Sequence, residues 1–366
     1  MPRFLHTADW QIGRQYRTFD DTSAAMVLAE TRLHTVENLA KHAAAEQVDA
    51  VLVAGDVFDS QTVSDVTIHR LFNALRPFSG LWILMPGNHD AALAESVWTR
   101  AQRLEAVPPN VCLVLKAQVL EFPALGFALL AAPLTQRQVS VDVTQWFDSA
   151  ETAPGLLRIG LAHGSVQGFL PENMDSPNPI AAERAQRARL DYLALGDWHG
   201  YKAIDARTWY SGTPETDRFR NNESGYVLRV DIPQPGALPV VTPQRIGAFV
   251  WQQWSENLQV SSDLDALIQR LLSVQSADVL QVTLTGVIDL AGQQRLEQGL
   301  LKAHALARSL RVDMCGLRLL PSAADVAALQ ADGYVGEVLA ELRAEQTEQD
   351  EIAREALIIL AGLLRN

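Results

Sequence analysis

Five short motifs rich in Asp, Asn, His and Gly each follow a strand-like apolar run. They are His6–Gln11, Gly55–Asp59, Gly87–Asp90, Ala162–Gly164 and Gly196–His199. Because strands of an α/β sheet bring their carboxyl ends to one edge, where such folds assemble their sites, we expect these motifs to converge. Carboxylate oxygens and imidazole nitrogens are ligands that suit Mn, Fe or Zn. The pattern therefore predicts a divalent-metal centre.

The carboxylates indicate the chemistry of such a centre. Asp9 and Asp56, at the ends of neighbouring strands, would bring like charges together, and a cation between them removes that cost. Two metals about 3.5–4 Å apart can activate a water and cancel charge on phosphate oxygens, as phosphodiester hydrolysis at neutral pH requires. A glycine that permits a tight turn precedes Asp56, so we expect Asp56 to bridge both ions.

Each motif taken alone has a simpler interpretation. A lone Asp after a strand is usually a turn former or a helix cap, and a single His in an apolar run is more often a core residue than a ligand. Five motifs in this order, all at strand ends, argue against coincidence. His6 stays open between the two interpretations, because it lies close to Asp9. The histidines of helical stretches are expected to be surface or packing residues: His34, His42, His69 and His304.

The elements that must position these motifs alternate in type along the chain. Apolar runs predict strands at Phe4–Ala8, Ala50–Ala54 and Leu81–Met85, and helical patterns predict helices at Thr22–Glu46 and Val63–Leu75. This β-α-β-α-β rhythm is typical of a layered α/β domain with a sheet covered on both faces.

The rest of the sequence predicts more strands, and near residue 250 the pattern changes to alternating helices and strands. A meander is expected first, then a second set of strands, then one further strand: Val111–Leu115, Val119–Phe122, Phe127–Leu130; Arg158–Ala162, Tyr192–Leu195, Thr208–Ser211, Tyr226–Val230; Val240–Ile246. We expect a main α/β domain at 1–250, a small α+β capping domain at 251–330 and a helical segment at 331–366. The capping pattern is a helix at Asp263–Leu272, a strand at Val279–Thr285, a helix at Gln293–Leu310 and a strand at Arg311–Leu320.

The motifs resemble those of calcineurin-like metallophosphoesterases, whose signature runs D-x-H, G-D-x-x-D, G-N-H-D or E, a lone H, and G-H-x-H. Within that superfamily the chain looks like the SbcD and YhaO type of DNA repair exonuclease. Three features carry the narrower resemblance: the opening Phe4–Asp9, Phe58, and the Tyr-Ser-Gly-Thr-Pro-Glu segment Tyr210–Glu215. The resemblance covers residues 3–230. It implies a sandwich of two sheets flanked by helices, with a capping domain and a C-terminal helical segment by layout alone.

The resemblance also implies a ligand set for two divalent ions. Asp9 and His199 would hold the first metal, Asn88 and His163 the second, and Asp56 would bridge them. Manganese is the expected ion, with magnesium, iron or zinc as alternatives.

Two further residues receive roles from the resemblance, and two positions depart from it. His89 would contact the scissile phosphate and protonate the leaving 3′-oxygen as general acid, and Asp59 would support the residues around it by hydrogen bonding.

Gln11 stands where the family has the histidine of D-x-H, and Asp197 replaces the first histidine of G-H-x-H. An amide is a poor ligand and a carboxylate a hard one, so the first metal should be held weakly and the second site should favour Mn or Mg.

Composition limits the partners. The net charge of −13 argues against a protein that coats nucleic acid by bulk electrostatics, but it leaves open an enzyme that meets DNA in one local groove. Neither a membrane span nor a signal peptide is expected. Cys112 and Cys315 are predicted to be buried free thiols in a reducing compartment, so the expected address is the cytoplasm.

Three hypotheses for function follow. The first is a manganese-dependent DNA exonuclease or endonuclease; the resemblance implies that it dimerises and works with an SMC-like coiled-coil ATPase of the SbcC or YhaN type. The segment 334–366 would either dock on that ATPase or pack back on its own domain. The second is a phosphoesterase for a small cyclic nucleotide or other phosphodiester. The third is a degenerate, non-catalytic subunit of a repair complex. Trp10 and Trp198 neighbour ligand positions and could stack on an unpaired base or simply pack around the metals.

Overall fold

A computed structural model describes residues 2–19, 21–169 and 177–320, together with isolated positions between 337 and 359. The chain divides into two compact units, Met1–Phe249 and Val250–Asn366. Most of the segment 331–366 that we expected to be helical lies outside the described residues. Among the described residues, no helix has both the length and the apolar character needed to cross a bilayer.

The first unit contains fourteen strands and four α-helices in its described residues. Its strands are β1 (Arg3–Thr7), β2 (Ala50–Ala54), β3 (Leu81–Met85), β4 (Val111–Leu113), β5 (Gln118–Phe122), β6 (Phe127–Ala132), β7 (Leu157–His163), β8 (Ser165–Val166), β9 (Pro179–Ile180), β10 (Tyr192–Gly196), β11 (Lys202–Ala203), β12 (Thr208–Tyr210), β13 (Tyr226–Asp231) and β14 (Val240–Arg245). Its helices are α1 (Thr22–Ala45), α2 (Asp65–Ala74), α3 (Val97–Arg103) and α4 (Arg184–Arg187), with 3-10 turns at Pro123–Leu125 and Gln145–Ser149.

The first sheet has the order β14-β13-β1-β2-β3-β4. Strands β1 to β4 run parallel, whereas β13 pairs antiparallel with β1 and β14 with β13. Two expectations were therefore wrong. The strand at Tyr226–Val230 belongs to the first sheet and not to the second set, and the strand at Val111–Leu115 pairs with β3 instead of starting a meander. Pairing partners lie far apart in sequence here, so local patterns did not determine them.

The second sheet has the order β11-β12-β10-β7-β6-β5. Its four central strands run parallel, and β5 and β6 form an antiparallel pair around the turn Pro123–Leu125. One buried apolar layer joins the two sheets, with Phe4 and Leu52 from the first and Leu129 and Ile159 from the second. Burying a side chain of this size stabilises the fold by roughly 1.5–3 kcal/mol.

Helices cover both outer faces of these sheets. Residues of α1, α2 and α3 share an apolar cluster with the first sheet, and α4 shares one with the second. Helix α1 begins where the Asp21 carboxylate accepts hydrogen bonds from Ser23 N and Ala24 N, which caps the exposed amides of its first turn. The layered sandwich expected from the sequence is thus confirmed.

The second unit consists of β15 (Val250–Leu258), α5 (Ser261–Leu272), β16 (Asp278–Ile288), α6 (Leu290–Leu306) and β17 (Ser309–Leu319). All three strands run parallel and helices alternate with them, so this unit is α/β in connectivity and not the α+β that we expected. Strand β15 was not predicted from the sequence.

The two thiols are less buried than expected. Cys112 is half-buried in β4, and Cys315 is exposed on β17. Both cysteines are unpaired, which agrees with the prediction of free thiols.

Candidate metal centre

The five motifs all lie at the carboxyl ends of strands, as predicted. Asp9 follows β1, Asp56 follows β2, Asn88 follows β3, His163 ends β7, and Asp197 follows β10. The first three strands belong to one sheet and the other two to the second. The site therefore forms where the edges of both sheets meet.

His163 lies at the centre of an oxygen-rich group. Its Nε2 atom is 2.9 Å from Oδ1 of Asn88, 3.6 Å from Oδ1 of Asp56 and 3.8 Å from Oδ1 of Asp197. Its Nδ1 atom donates a hydrogen bond of 2.8 Å to the Ala54 carbonyl oxygen. That bond fixes the ring and leaves Nε2 free to act as a ligand, which is the usual arrangement of a metal-binding histidine.

A second group lies on the other side of Asp56. The Nε2 atom of Gln11 is 3.5 Å from Oδ2 of Asp56 and 3.5 Å from Nε2 of His199. Both carboxylate oxygens of Asp9 accept from Asp197 N at 3.2 Å. The ligand atoms of Asp9, Asp56 and His163 all lie within 4.8 Å of one another, so carboxylate and imidazole donors converge as a divalent cation requires.

The charges of this cluster favour a bound cation. Burial raises the pKa of Asp9 to about 6, with a further contribution from Asp56 and Asp197. Burial alone would lower the pKa of His163, but the neighbouring carboxylates of Asp56, Asp9 and Asp197 outweigh it and raise that pKa to about 9. The pKa values of a carboxylate and of an imidazole are both raised here because the negative charge of the carboxylates is not balanced within the cluster. A bound divalent ion would supply the balancing positive charge.

The backbone is strained where it presents these side chains. Asp9, Gln11 and Asp56 have φ values of 55°, 45° and 53°, in the left-handed region that non-glycine residues rarely adopt. Hydrogen bonds hold the two loops together, from Asp9 N to the Gly55 carbonyl at 3.0 Å and from Gln11 N to the Asp56 carbonyl at 2.8 Å. Such strain persists only where the surroundings enforce it, and it is typical of functional sites.

Two glycines are required by close approach. A Cβ atom on Gly55 would lie 2.3 Å from Nδ1 of His163, and one on Gly87 would lie 2.3 Å from Oδ1 of Asp56. Gly55, which was expected to permit a tight turn before Asp56, has a φ of 93°, so both the turn and the close approach of His163 require a glycine there.

His89 borders the cluster and is partly exposed. Its backbone N donates to Oδ1 of Asp56 at 2.9 Å, and its Nε2 atom is 3.9 Å from Oδ2 of the same residue. Its Nδ1 atom donates to the Asp59 backbone carbonyl at 2.8 Å. Asp59 therefore orients His89 through its backbone, while its carboxylate lies 3.8 Å from Nη1 of Arg14.

Several residues at the centre were missed by the sequence analysis. Asp217 is buried and lies 3.1 Å from Nδ1 of His199, and Ser165 Oγ donates to Oδ2 of Asp197 at 2.6 Å. Asp90 accepts from Phe58 N at 3.0 Å and Gly87 N at 2.7 Å, so it joins two ligand loops. Asp90 stood within a recognised motif, but no local signal marked Asp217.

The two tryptophans differ in exposure. Trp10 is fully buried, donates from its indole to Thr7 Oγ1 at 3.0 Å and packs edge-on against Trp82, so it serves packing and not stacking on a substrate. Trp198 is half-buried, and Nζ of Lys202 lies 5.3 Å from its ring centroid. Of the two, Trp198 alone keeps a surface that a base could meet.

Arg32 supports the centre from behind. This fully buried side chain of α1 donates to the backbone carbonyls of Asp9 at 2.8 Å and Trp10 at 2.7 Å, and to Thr213 Oγ1 at 3.0 Å. It thereby connects the first ligand loop to the segment Tyr210–Glu215 that the sequence analysis singled out.

A two-sheet sandwich that gathers carboxylates, an amide and imidazoles at its strand ends defines the class of divalent-metal phosphoesterases. The chain belongs to the calcineurin-like phosphoesterase family, whose sequence model matches residues 2–229. It is therefore a metal-dependent hydrolase.

The chain is also similar to several curated proteins. The chain is 26% identical over 266 residues to SbcD, a component of the nuclease SbcCD of Bacillus subtilis, covering 63% of this chain and 65% of that protein. It is 24% identical over 241 residues to the uncharacterized metallophosphoesterase YhaO of Bacillus subtilis, covering 62% and 56%. It is 27% identical over 244 residues to the DNA double-strand break repair protein Mre11 of Methanosarcina acetivorans, covering 60% and 35%. The match thus spans less than two thirds of each relative.

Proposed function

We propose that this protein hydrolyses DNA phosphodiester bonds with two divalent metal ions, most favourably manganese, as an exonuclease or endonuclease of DNA repair. The observation that carries the proposal is the position of His89. Its partly exposed Nε2 atom is 3.9 Å from Oδ2 of Asp56, beside the cluster of Asp9, Asp56 and His163. The names of the nuclease relatives support DNA as the substrate.

The residues divide the chemistry as follows. Asp9 and His199 would hold one ion, which Gln11 would reach only through a water, and Asn88, His163 and Asp197 would hold the other, with Asp56 between them. A bound pair of divalent ions supplies an activated water and neutralises phosphate charge.

His89 supplies the remaining step. Its Nδ1 atom is tied to the Asp59 carbonyl, so Nε2 faces the cluster and, when the ring is protonated, holds a proton for the leaving 3′-oxygen. General acid catalysis of this kind contributes typically about 10²–10⁴-fold to a rate.

The assembly is part of the proposal. A chain with a net charge of −13 gains little from bulk attraction to DNA, so a partner that supplies positive surface would help it. We propose that it works in the cytoplasm as a homodimer with an SMC-like coiled-coil ATPase of the SbcC or YhaN type, docked by the C-terminal segment 331–366.

Degradation of linear DNA by the purified protein in manganese, magnesium or zinc tests the proposal, alongside the same assay on a small cyclic nucleotide. We expect manganese-dependent DNA cleavage. His89→Ala should lower the rate by about 10²-fold or more while metal content stays at the wild-type level. His69→Ala, which alters an exposed histidine of α2, is the matched control. Hydrolysis of only the small substrate, or of neither, would overturn the DNA assignment.

A further inference from the structure

A buried carboxylate beside the metal centre holds two arginines. The side chain of Asp217 is 1% exposed, and its oxygens lie 2.8 Å from Nη2 and 2.9 Å from Nε of Arg218, and 3.2 Å from Nη2 of Arg14. Two guanidinium groups on one buried carboxylate form charge-assisted, geometrically fixed hydrogen bonds. Asp217 therefore fixes the position of both arginines.

Both arginines also touch residues assigned to the first metal. Arg14 donates from Nη1 to Oε1 of Gln11, and Nη2 of Arg218 lies 3.0 Å from Nδ1 of His199. Because arginine is only a donor, the atom of Gln11 that it touches must be the oxygen. The amide of Gln11 therefore turns its nitrogen toward Asp56 and His199, and an N–H group cannot bind a metal ion.

The first-metal position is thus weakened in two ways. The amide oxygen of Gln11 is occupied by Arg14, and two permanent positive charges, on Arg14 and Arg218, contact Gln11 and His199. The same charges favour an anion, and Arg14 and Arg218 keep 25% and 38% of their side-chain surface exposed. Among the described residues, Nη1 of Arg218 has no hydrogen-bond partner.

We propose that Arg14 and Arg218, positioned by Asp217, bind the non-bridging oxygens of the substrate phosphate and take over part of the charge neutralisation at the first-metal side. The inference deepens the proposed function, on which it rests for a phosphodiester substrate. The simpler alternative is that the arginines only orient Asp217 and, through it, His199.

The two alternatives predict opposite effects on metal binding. If the arginines bind phosphate, their removal weakens phosphate binding and leaves metal affinity unchanged or tighter, because a repelling charge has gone. If they only orient Asp217 and His199, their removal loosens the metal and the phosphate together.

Calorimetric titration of the manganese-loaded protein with inorganic phosphate, and of the metal-free protein with manganese, tests the inference. We expect Arg14→Gln and Arg218→Gln each to weaken phosphate binding by about tenfold or more without weakening manganese binding. Arg17→Gln and Arg220→Gln remove exposed arginines from the same two loops and should leave both affinities unchanged. Arg218→Lys, which keeps a charge beside Asp217, should bind phosphate with an intermediate affinity even if Arg218→Gln fails to fold.

Unchanged phosphate affinity in the Arg14 and Arg218 variants, or a parallel loss of manganese, would overturn the inference. A wild-type protein that binds no phosphate would do so too. Phosphate binding by a protein that cleaves no DNA would contradict the proposed substrate and leave the arginine pair standing.

Discussion

The Nε2 atom of His163 lies 2.9 Å from Oδ1 of Asn88, and this contact joins the end of a strand in one sheet to a loop of the other. The two sheets of the sandwich are therefore in direct contact at the metal centre. A cation bound there would connect both sheets and would bind the folded chain far better than the unfolded one.

Manganese should accordingly raise the melting temperature of the metal-free protein. At a free concentration of about 100 times its dissociation constant, a ligand of the folded state adds about 2.7 kcal/mol to the free energy of unfolding. We expect Asn88→Ala and His163→Ala to lose most of this manganese-dependent shift, and His69→Ala to keep it. Differential scanning fluorimetry with EDTA or manganese measures the effect. The same shift in the wild type and all three variants would place the manganese elsewhere.

Replacing Gln11 by histidine should strengthen the weaker of two manganese sites. An imidazole at this position restores a ligand that the amide does not provide, and histidine tolerates the left-handed backbone of residue 11 better than most residues. We expect the weaker dissociation constant to fall about tenfold or more in calorimetric titrations. Gln15→His, an exposed change in the same loop, should have no effect. An unchanged weaker site in Gln11→His would show that this position lies outside the coordination shell.

Gly87→Ala should abolish metal binding and also lower the free energy of unfolding. The added Cβ would lie 2.3 Å from Oδ1 and 2.5 Å from the backbone N of Asp56, and 2.8 Å from Cε1 of His163, so both side chains and the backbone of the Asp56 loop must move. The control Gly299→Ala, in helix α6, meets its nearest neighbour at an ordinary 3.4 Å and should be neutral or stabilising. Manganese content after dialysis measures the outcome, and full occupancy in Gly87→Ala would show that the site is adaptable.

His6 should make stability depend on pH. Its Nε2 atom donates to the Leu195 carbonyl at 3.1 Å, its Nδ1 atom accepts from the Tyr192 hydroxyl at 2.9 Å, and burial lowers its pKa from 6.5 to about 3. As pH falls from about 7.5 to about 5.5, His6 becomes protonated in the unfolded chain but stays neutral in the folded protein. The contribution of His6 to the free energy of unfolding therefore falls by about 1.4 kcal/mol.

His6→Gln removes this titration. The destabilisation that it causes should therefore be about 1.4 kcal/mol smaller at the lower pH. Urea denaturation in EDTA at both pH values gives the two differences. Equal differences would mean that His6 can be protonated in the folded protein.

Much of the centre was predictable because its signals are local. A strand that is buried on both faces consists of a short apolar run, as in Ala50–Ala54, and the polar residues that follow it stand at the sheet edge whatever the strand pairs with. The positions of Asp56 and His163 at strand ends followed from this pattern alone. The assignment of each ligand to one of two ions came from the resemblance to the family, because no local pattern contains that information.

The pairing of the strands and the contacts that surround the ligand residues depended instead on packing between distant parts of the chain. Tyr226–Val230 has the composition of a strand in either sheet, and only the fit of its side chains beside β1 assigned it to the first. Asp197 N reaches the carboxylate of Asp9 across 188 positions, and Arg14 reaches Asp217 from an even more distant loop. Burial and charge balance select such contacts after the sheets have closed, so residue types and spacing alone could not indicate them.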